Sequence, residues 1–120
     1  MANLKSEYEC SLMLSNALIG GKWKQRVLYH ITIGNNRFSS LQKNLPDISQ
    51  KVLSAQLREL EDHGILSRRI YPDVPPRVEY SLTEEGEILK PIIEQLCRWS
   101  TDYALKRNIN VPLDHLPEKQ

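Results

Sequence analysis

Between Ser49 and Thr83 the hydrophobic pattern changes from the period of a helix to the period of strands, and few folds accept that change. Ser49 is a good helix cap, and Val52, Leu53, Leu57 and Leu60 after it share one buried face until His63-Gly64 ends the run. Ile65 to Tyr71 reads as a strand. Asp73-Val74-Pro75-Pro76 is a turn with no helical option, because proline fixes its own backbone and restricts the residue before it. Val78, Tyr80 and Leu82 then alternate with Glu79, Ser81 and Thr83, which marks a strand with one wet face. A helix therefore runs straight into a two-stranded ribbon.

The flanking sequence is helical. Cys10 to Ile19 reads as a short helix ended by Gly20-Gly21, and Lys22 to Ile33 as a second with Trp23, Val27 and Ile31 on a buried stripe. After the turn Gly34-Asn35-Asn36, Arg37-Phe38 can form a single strand rung, and Ser39 is expected to cap a short helix to about Asn44. Thr83 with Glu84, Glu85 and Gly86 starts a last helix to about Arg107, its acids at the positive end of the helix dipole. The fold class is α+β, mainly α: a winged helix-turn-helix with a two-stranded β wing and terminal dimerisation helices. We expect a single domain over 1–120, with its core at about 20–84, dimerisation helices at about 10–19 and 84–107, and a loose tail over 108–120.

Sixteen Lys and Arg against fifteen Asp and Glu leave a formal net charge of only +1. Any binding to nucleic acid must therefore come from where the cations sit, not from bulk charge. No apolar run reaches membrane-spanning length and the N-terminus lacks a signal-peptide pattern, so the expected compartment is the cytoplasm, with Cys10 and Cys97 as thiols.

On the helix after Ser49, Lys51, Ser54, Ala55 and Arg58 fall opposite the leucines, while Glu59, Glu61 and Asp62 gather toward the far end. A recognition helix meets base edges in the major groove with its N-terminal residues, where its amides and dipole also favour phosphate. Ser49 and Gln50 would reach phosphate or base edges, Lys51 and Arg58 would supply cations, and Ser54 would permit close approach. Arg68 and Arg69 point to opposite faces of the first strand, and Arg77 follows the stiff Pro75-Pro76 turn, a layout suited to the minor groove. Arg37 and Ser39, ahead of the short helix, complete the candidate DNA-binding set.

These residues resemble the HxlR-type family of winged helix-turn-helix transcriptional regulators, relatives of the MarR type. The matching motifs are IGGKWK at 19–24, RFSSL at 37–41, ISQKVLSAQLRELEDHGIL at 48–66, YPDVPPRVEYSLTEEG at 71–86 and LCRWS at 96–100, in order over about residues 10 to 103. The resemblance implies a homodimer through the terminal helices, a near-palindromic operator in double-stranded DNA, and, for several members, a response to small electrophiles or oxidants through a cysteine near the N-terminus. Cys10 stands at that place, although Ser11 follows it where many members have proline.

The last helix supports a dimer independently. Its stripe of Leu89, Ile92, Ile93, Leu96, Trp99 and Tyr103 is more apolar than a small core requires, and Leu12 on the first helix would join it across a two-fold axis. Within a protomer Trp23 and Trp99 read as core residues. Cys10 fits two roles, a thiol activated by a helix start or an inert thiol packed at a dimer interface. Cys97 reads as a small buried residue. His30, His63 and His115 do not cluster at metal spacing, and no nucleophile–base or carboxylate pair appears, so no metal, cofactor or enzymatic activity is expected. A second reading, a winged-helix protein-interaction module that does not bind specific DNA, draws on the near-neutral charge.

Overall fold

The computed structural model describes residues 4–111, so most of the expected tail over 108–120 lies outside the described residues. Five helices and two strands follow in the order α1 (Ser11–Ile19), α2 (Lys24–Thr32), α3 (Phe38–Asn44), α4 (Gln50–Asp62), β1 (Leu66–Tyr71), β2 (Arg77–Leu82) and α5 (Glu84–Lys106). This is the mainly helical winged-helix architecture that the change of period after Ser49 implies.

Local chemistry sets most boundaries. Ser49 Oγ accepts the Val52 N–H at 3.1 Å and so caps α4. Gly64 takes a positive φ of 75° after the His63 cap, a conformation that costs glycine little. Thr83 Oγ1 accepts the Gly86 N–H at 3.2 Å and donates to the Ile65 carbonyl at 3.1 Å, so one hydroxyl joins the start of α5 to the start of the ribbon. Two boundaries differ from the expectation. α2 begins at Lys24, because Gly21 has a φ of 93° and the helix cannot form until after it. α3 is capped by Arg37, so Ser39 is its second residue and not its cap.

Val27, Leu28, Leu41, Leu45, Leu53, Leu57, Leu60 and Leu66 are fully buried and hold α2, α3, α4 and the ribbon around one core. Each such burial contributes about 1.5–3 kcal/mol before the entropy of ordering is subtracted. α2 is more enclosed than its expected stripe, since Tyr29 and His30 are buried along with Val27, Leu28 and Ile31. α5 packs mainly on α2, and it carries Pro91 inside the helix, where one backbone hydrogen bond is lost.

β1 and β2 pair antiparallel, Leu66 opposite Leu82 and Tyr71 opposite Arg77. Arg37 adds a single bridge opposite Glu79, and the Tyr80 N–H donates to the Asn36 carbonyl at 2.8 Å. The segment ahead of α3 is thus a third, one-rung strand, which fixes the ribbon against the helix-turn-helix.

Candidate nucleic-acid interface

α4 presents its first turn and outer face beside the ribbon. A cleft of about 450 Å³ lies between them, lined by Gln50, Ser54 and Arg58 of α4, by Arg68 of β1, and by the edges of Phe38, Val78 and Tyr80. Gln50 and Arg58 are exposed and Ser54 is half-buried. Ser49 uses its oxygen as the cap, which leaves its hydroxyl hydrogen to donate outward. Lys51 is exposed but stands off the cleft, and Ser39 is exposed on α3.

The acids of α4 are closer to this cleft than their place in the sequence suggests. Glu61 and Asp62 line it, and Arg68 Nε sits 3.8 Å from Glu61 Oε2. The ribbon folds back along the end of α4, so residues late in the helix meet the base of the wing. Arg68 lies on the core side of β1 opposite Tyr80, and Arg69 on the other face. Burial pushes the Tyr80 phenol up, with the Arg68 guanidinium working against that shift.

Arg77 follows the proline turn, as expected, and is engaged by neighbouring acids. It opens β2, and the tip itself is Pro72 to Pro76, with Val74 99% exposed. Arg77 Nε lies 3.5 Å from Asp73 Oδ2 and 3.4 Å from Glu79 Oε2, and its guanidinium sits 4.0 Å from the Tyr71 ring centroid. Arg69 covers the same ring at 4.7 Å. Arg37 Nε reaches Glu79 Oε2 at 3.3 Å. Sequence reasoning named Arg69 and Glu79 but left both out of the candidate site. The signal was the two-residue period, which puts Arg77 and Glu79 on one face, with Arg69 across from Glu79.

Cys10 is the N-cap of α1; the Leu12 N–H donates to its Sγ at 3.4 Å, and the side chain is exposed. Cys97 is half-buried, and burial pushes its thiol up. It lies beside the buried Tyr29, whose hydroxyl is pushed up to about 12 by burial and then by the proximity of Cys97 and Glu94.

On the outer side of α5, Ile92, Leu96, Trp99 and Tyr103 are exposed, and Ile88 extends the strip. Trp99 is 65% exposed, so it is not a core residue of the protomer; its ring lies 5.7 Å from that of Tyr103. Ile93 does not belong to this strip. It is 4% exposed and faces the protomer's own core, and Leu89 is half-buried against that core. Leu12 and Met13 of α1 are exposed. Trp23 is partly buried under Lys22 and Arg26. Among the described residues no group of three His, Cys, Asp or Glu could hold a metal ion, and no helix is long and apolar enough to cross a membrane.

Known proteins are similar to this chain in sequence and in fold. Residues 18–108 match the family described as HxlR-like helix-turn-helix. The HTH-type transcriptional regulator YkvN of Bacillus subtilis (strain 168) is 49% identical over 98 residues, which cover 82% of this chain and 83% of YkvN. The redox regulator HypR in its oxidized form superposes with a TM-score of 0.73 at 45% identity, covering 78% of this chain and 96% of HypR. A MarR-family regulator from Porphyromonas gingivalis W83 gives a TM-score of 0.70 at 35% identity, over 82% of this chain and 97% of that one. The chain belongs to the HxlR-like helix-turn-helix family and is a transcriptional regulator with a DNA-binding helix-turn-helix on a MarR-like winged fold.

Proposed function

We propose that the whole chain acts in the cytoplasm as one winged helix-turn-helix unit. As a homodimer it binds a near-palindromic operator and represses by occupying it. α4 lies in the major groove, with Ser49, Gln50, Lys51, Ser54 and Arg58 toward bases and phosphates. Residues 72–78 lie along the minor groove, with Arg37, Ser39, Arg68 and Arg77 on the flanking backbone. The observation that carries this reading is the cleft in which Gln50, Ser54 and Arg58, on successive turns of α4, meet Arg68 of the wing. It gathers polar and cationic groups where a recognition helix meets base edges.

The strip of Ile92, Leu96, Trp99 and Tyr103 on one face of α5 supports the dimer, because an exposed apolar strip marks an association surface, and the exposed Leu12 of α1 would join it across the two-fold axis. Leu89 and Ile93 support it from beneath by seating α5 on the core. An effector, an electrophile or oxidant, acts at Cys10. Its exposure at a helix start supports this, as does the likeness to a protein described as a redox regulator.

Glu61 and Asp62 in the cleft and the near-neutral net charge favour the second reading, a protein-interaction module. Selection of bound duplexes from a random pool by the purified protein separates the two. The operator reading expects one enriched motif with two half-sites about one DNA turn apart, and steep loss of binding with added salt. The interaction module expects no enriched motif.

A further inference from the structure

Glu79 is an acid at the centre of a cationic face. Arg37 reaches its Oε2 from the segment ahead of α3 at 3.3 Å, and Arg77 reaches the same oxygen from β2 at 3.4 Å. Arg69 stands directly across the ribbon in register, turned over the Tyr71 ring that also carries Arg77. The carboxylate is the more enclosed member, with its side chain 22% exposed against 51% for Arg37. Both arginines make their closest approach through Nε; for Arg77 this is an ion pair without a hydrogen bond, its buried Nε lying also 3.5 Å from Asp73 Oδ2, and the Nη edges of each guanidinium keep donors for another anion.

For binding a polyanion this carboxylate is the wrong charge in the wrong place. Its cost is offset only if fixing the arginines matters more than the charge it cancels. A long side chain loses conformational entropy when it is immobilised on a ligand, and a guanidinium held beforehand loses less. The backbone bridge of Arg37 to Glu79 makes the same connection, from the helix-turn-helix to the wing. We propose that Glu79 is a positioning residue for DNA binding: one carboxylate holds Arg37 and Arg77 so that the helix-turn-helix and the wing present their guanidiniums to the phosphate backbone as one rigid pair. This rests on the operator reading above.

Charge and position make opposite demands on the same experiment. The selected duplex and an unrelated duplex are titrated at one salt concentration with wild type, Glu79→Gln and Glu79→Asp. A residue that merely cancels charge gives tighter binding of both duplexes in Glu79→Gln and wild-type binding in Glu79→Asp. A positioning residue gives about a fivefold loss on the selected duplex in Glu79→Gln, in keeping with a partly exposed ion-pair network. Glu79→Asp, whose shorter stem cannot reach both arginines, also loses affinity, and the unrelated duplex weakens by a similar factor, because phosphate contacts carry no sequence information. In an Arg37→Ala background the Glu79→Gln loss shrinks. Equal or tighter binding of the selected duplex by Glu79→Gln overturns the proposal while leaving the operator reading intact. A wild-type protein that selects no duplex overturns both. Thermal melts of each variant confirm that the compared proteins are folded.

Discussion

Lys24 Nζ lies 3.1 Å from Glu59 Oε1, and this ion pair joins the first residue of α2 to the third turn of α4. The lysine side chain is only 9% exposed. The pair therefore sets how the helix proposed to read DNA sits on the helix that carries α5. Lys24→Ala would leave Glu59 facing the seam with its partner gone. A loss of about 1–3 kcal/mol is expected from such an unsatisfied group. Lys24→Met combined with Glu59→Leu is expected to recover most of it, because paired apolar side chains often replace an enclosed ion pair at little cost. Urea unfolding of the two variants checks this. No loss in the single variant, or no recovery in the double, would refute it.

Tyr29 gives the protein a pH dependence at the alkaline end. Burial, then Cys97 and Glu94, raise its hydroxyl from 10.0 to about 12, so the fold favours the neutral phenol. The contribution to stability is fully present below pH 10 and is lost as pH rises toward 12. Tyr29→Phe removes this loss. The difference in urea midpoint between wild type and Tyr29→Phe should be flat below pH 10 and should move in favour of the variant above it. A difference that stays constant through that window contradicts the assignment.

Trp99 tests the dimer surface. Its exposed ring lies at the centre of the outer strip on α5, beside Tyr103. Trp99→Glu would place a charge where the partner is expected, while leaving the protomer core untouched. Sedimentation should show a dimer for wild type and a protomer for the variant at the same concentration, with little change in helix content. A dimer that survives Trp99→Glu would move the interface elsewhere.

The two thiols are expected to separate by reactivity. Cys10 is exposed, whereas Cys97 is half-buried with its thiol pushed up by burial and so held in the unreactive protonated form. A maleimide should label Cys10 first, as followed by mass spectrometry. Modification of Cys10 should change affinity for the selected duplex, and Cys10→Ser should abolish the response. The same response in Cys10→Ser would remove the sensing role.

Much of the fold was legible because its signals are local. Ser49 and Thr83 cap their helices as expected from their side chains alone, and the two-residue period from Val78 to Leu82 marked the second strand of the wing. The miss at Ser39 was local as well, since an arginine without a side-chain cap bond occupies the position a serine usually takes. What the sequence did not show of the candidate site lay in contacts between elements. The sequence separates Arg37 from Glu79 by a whole helix-turn-helix, so nothing in the local pattern shows that the two share an ion pair. The same holds for Glu61, whose helix face is correct but whose distance to Arg68 depends on how the ribbon folds back. Ile93 and Trp99 occupy one apolar stripe in sequence. Only the packing of α5 on α2 divides that stripe into a core edge and an outer edge.

The central claim is that the cleft between α4 and the wing is the surface that reads DNA. Its most direct measurement is the affinity of wild type and of the Gln50→Ala/Arg58→Ala double variant for the selected duplex and for an unrelated one, each over a range of salt. If the claim holds, the double variant loses about 1–3 kcal/mol for each base contact removed on the selected duplex. On the unrelated duplex it falls only by the loss of one cation. Equal affinity of the double variant and the wild type for the selected duplex would contradict it.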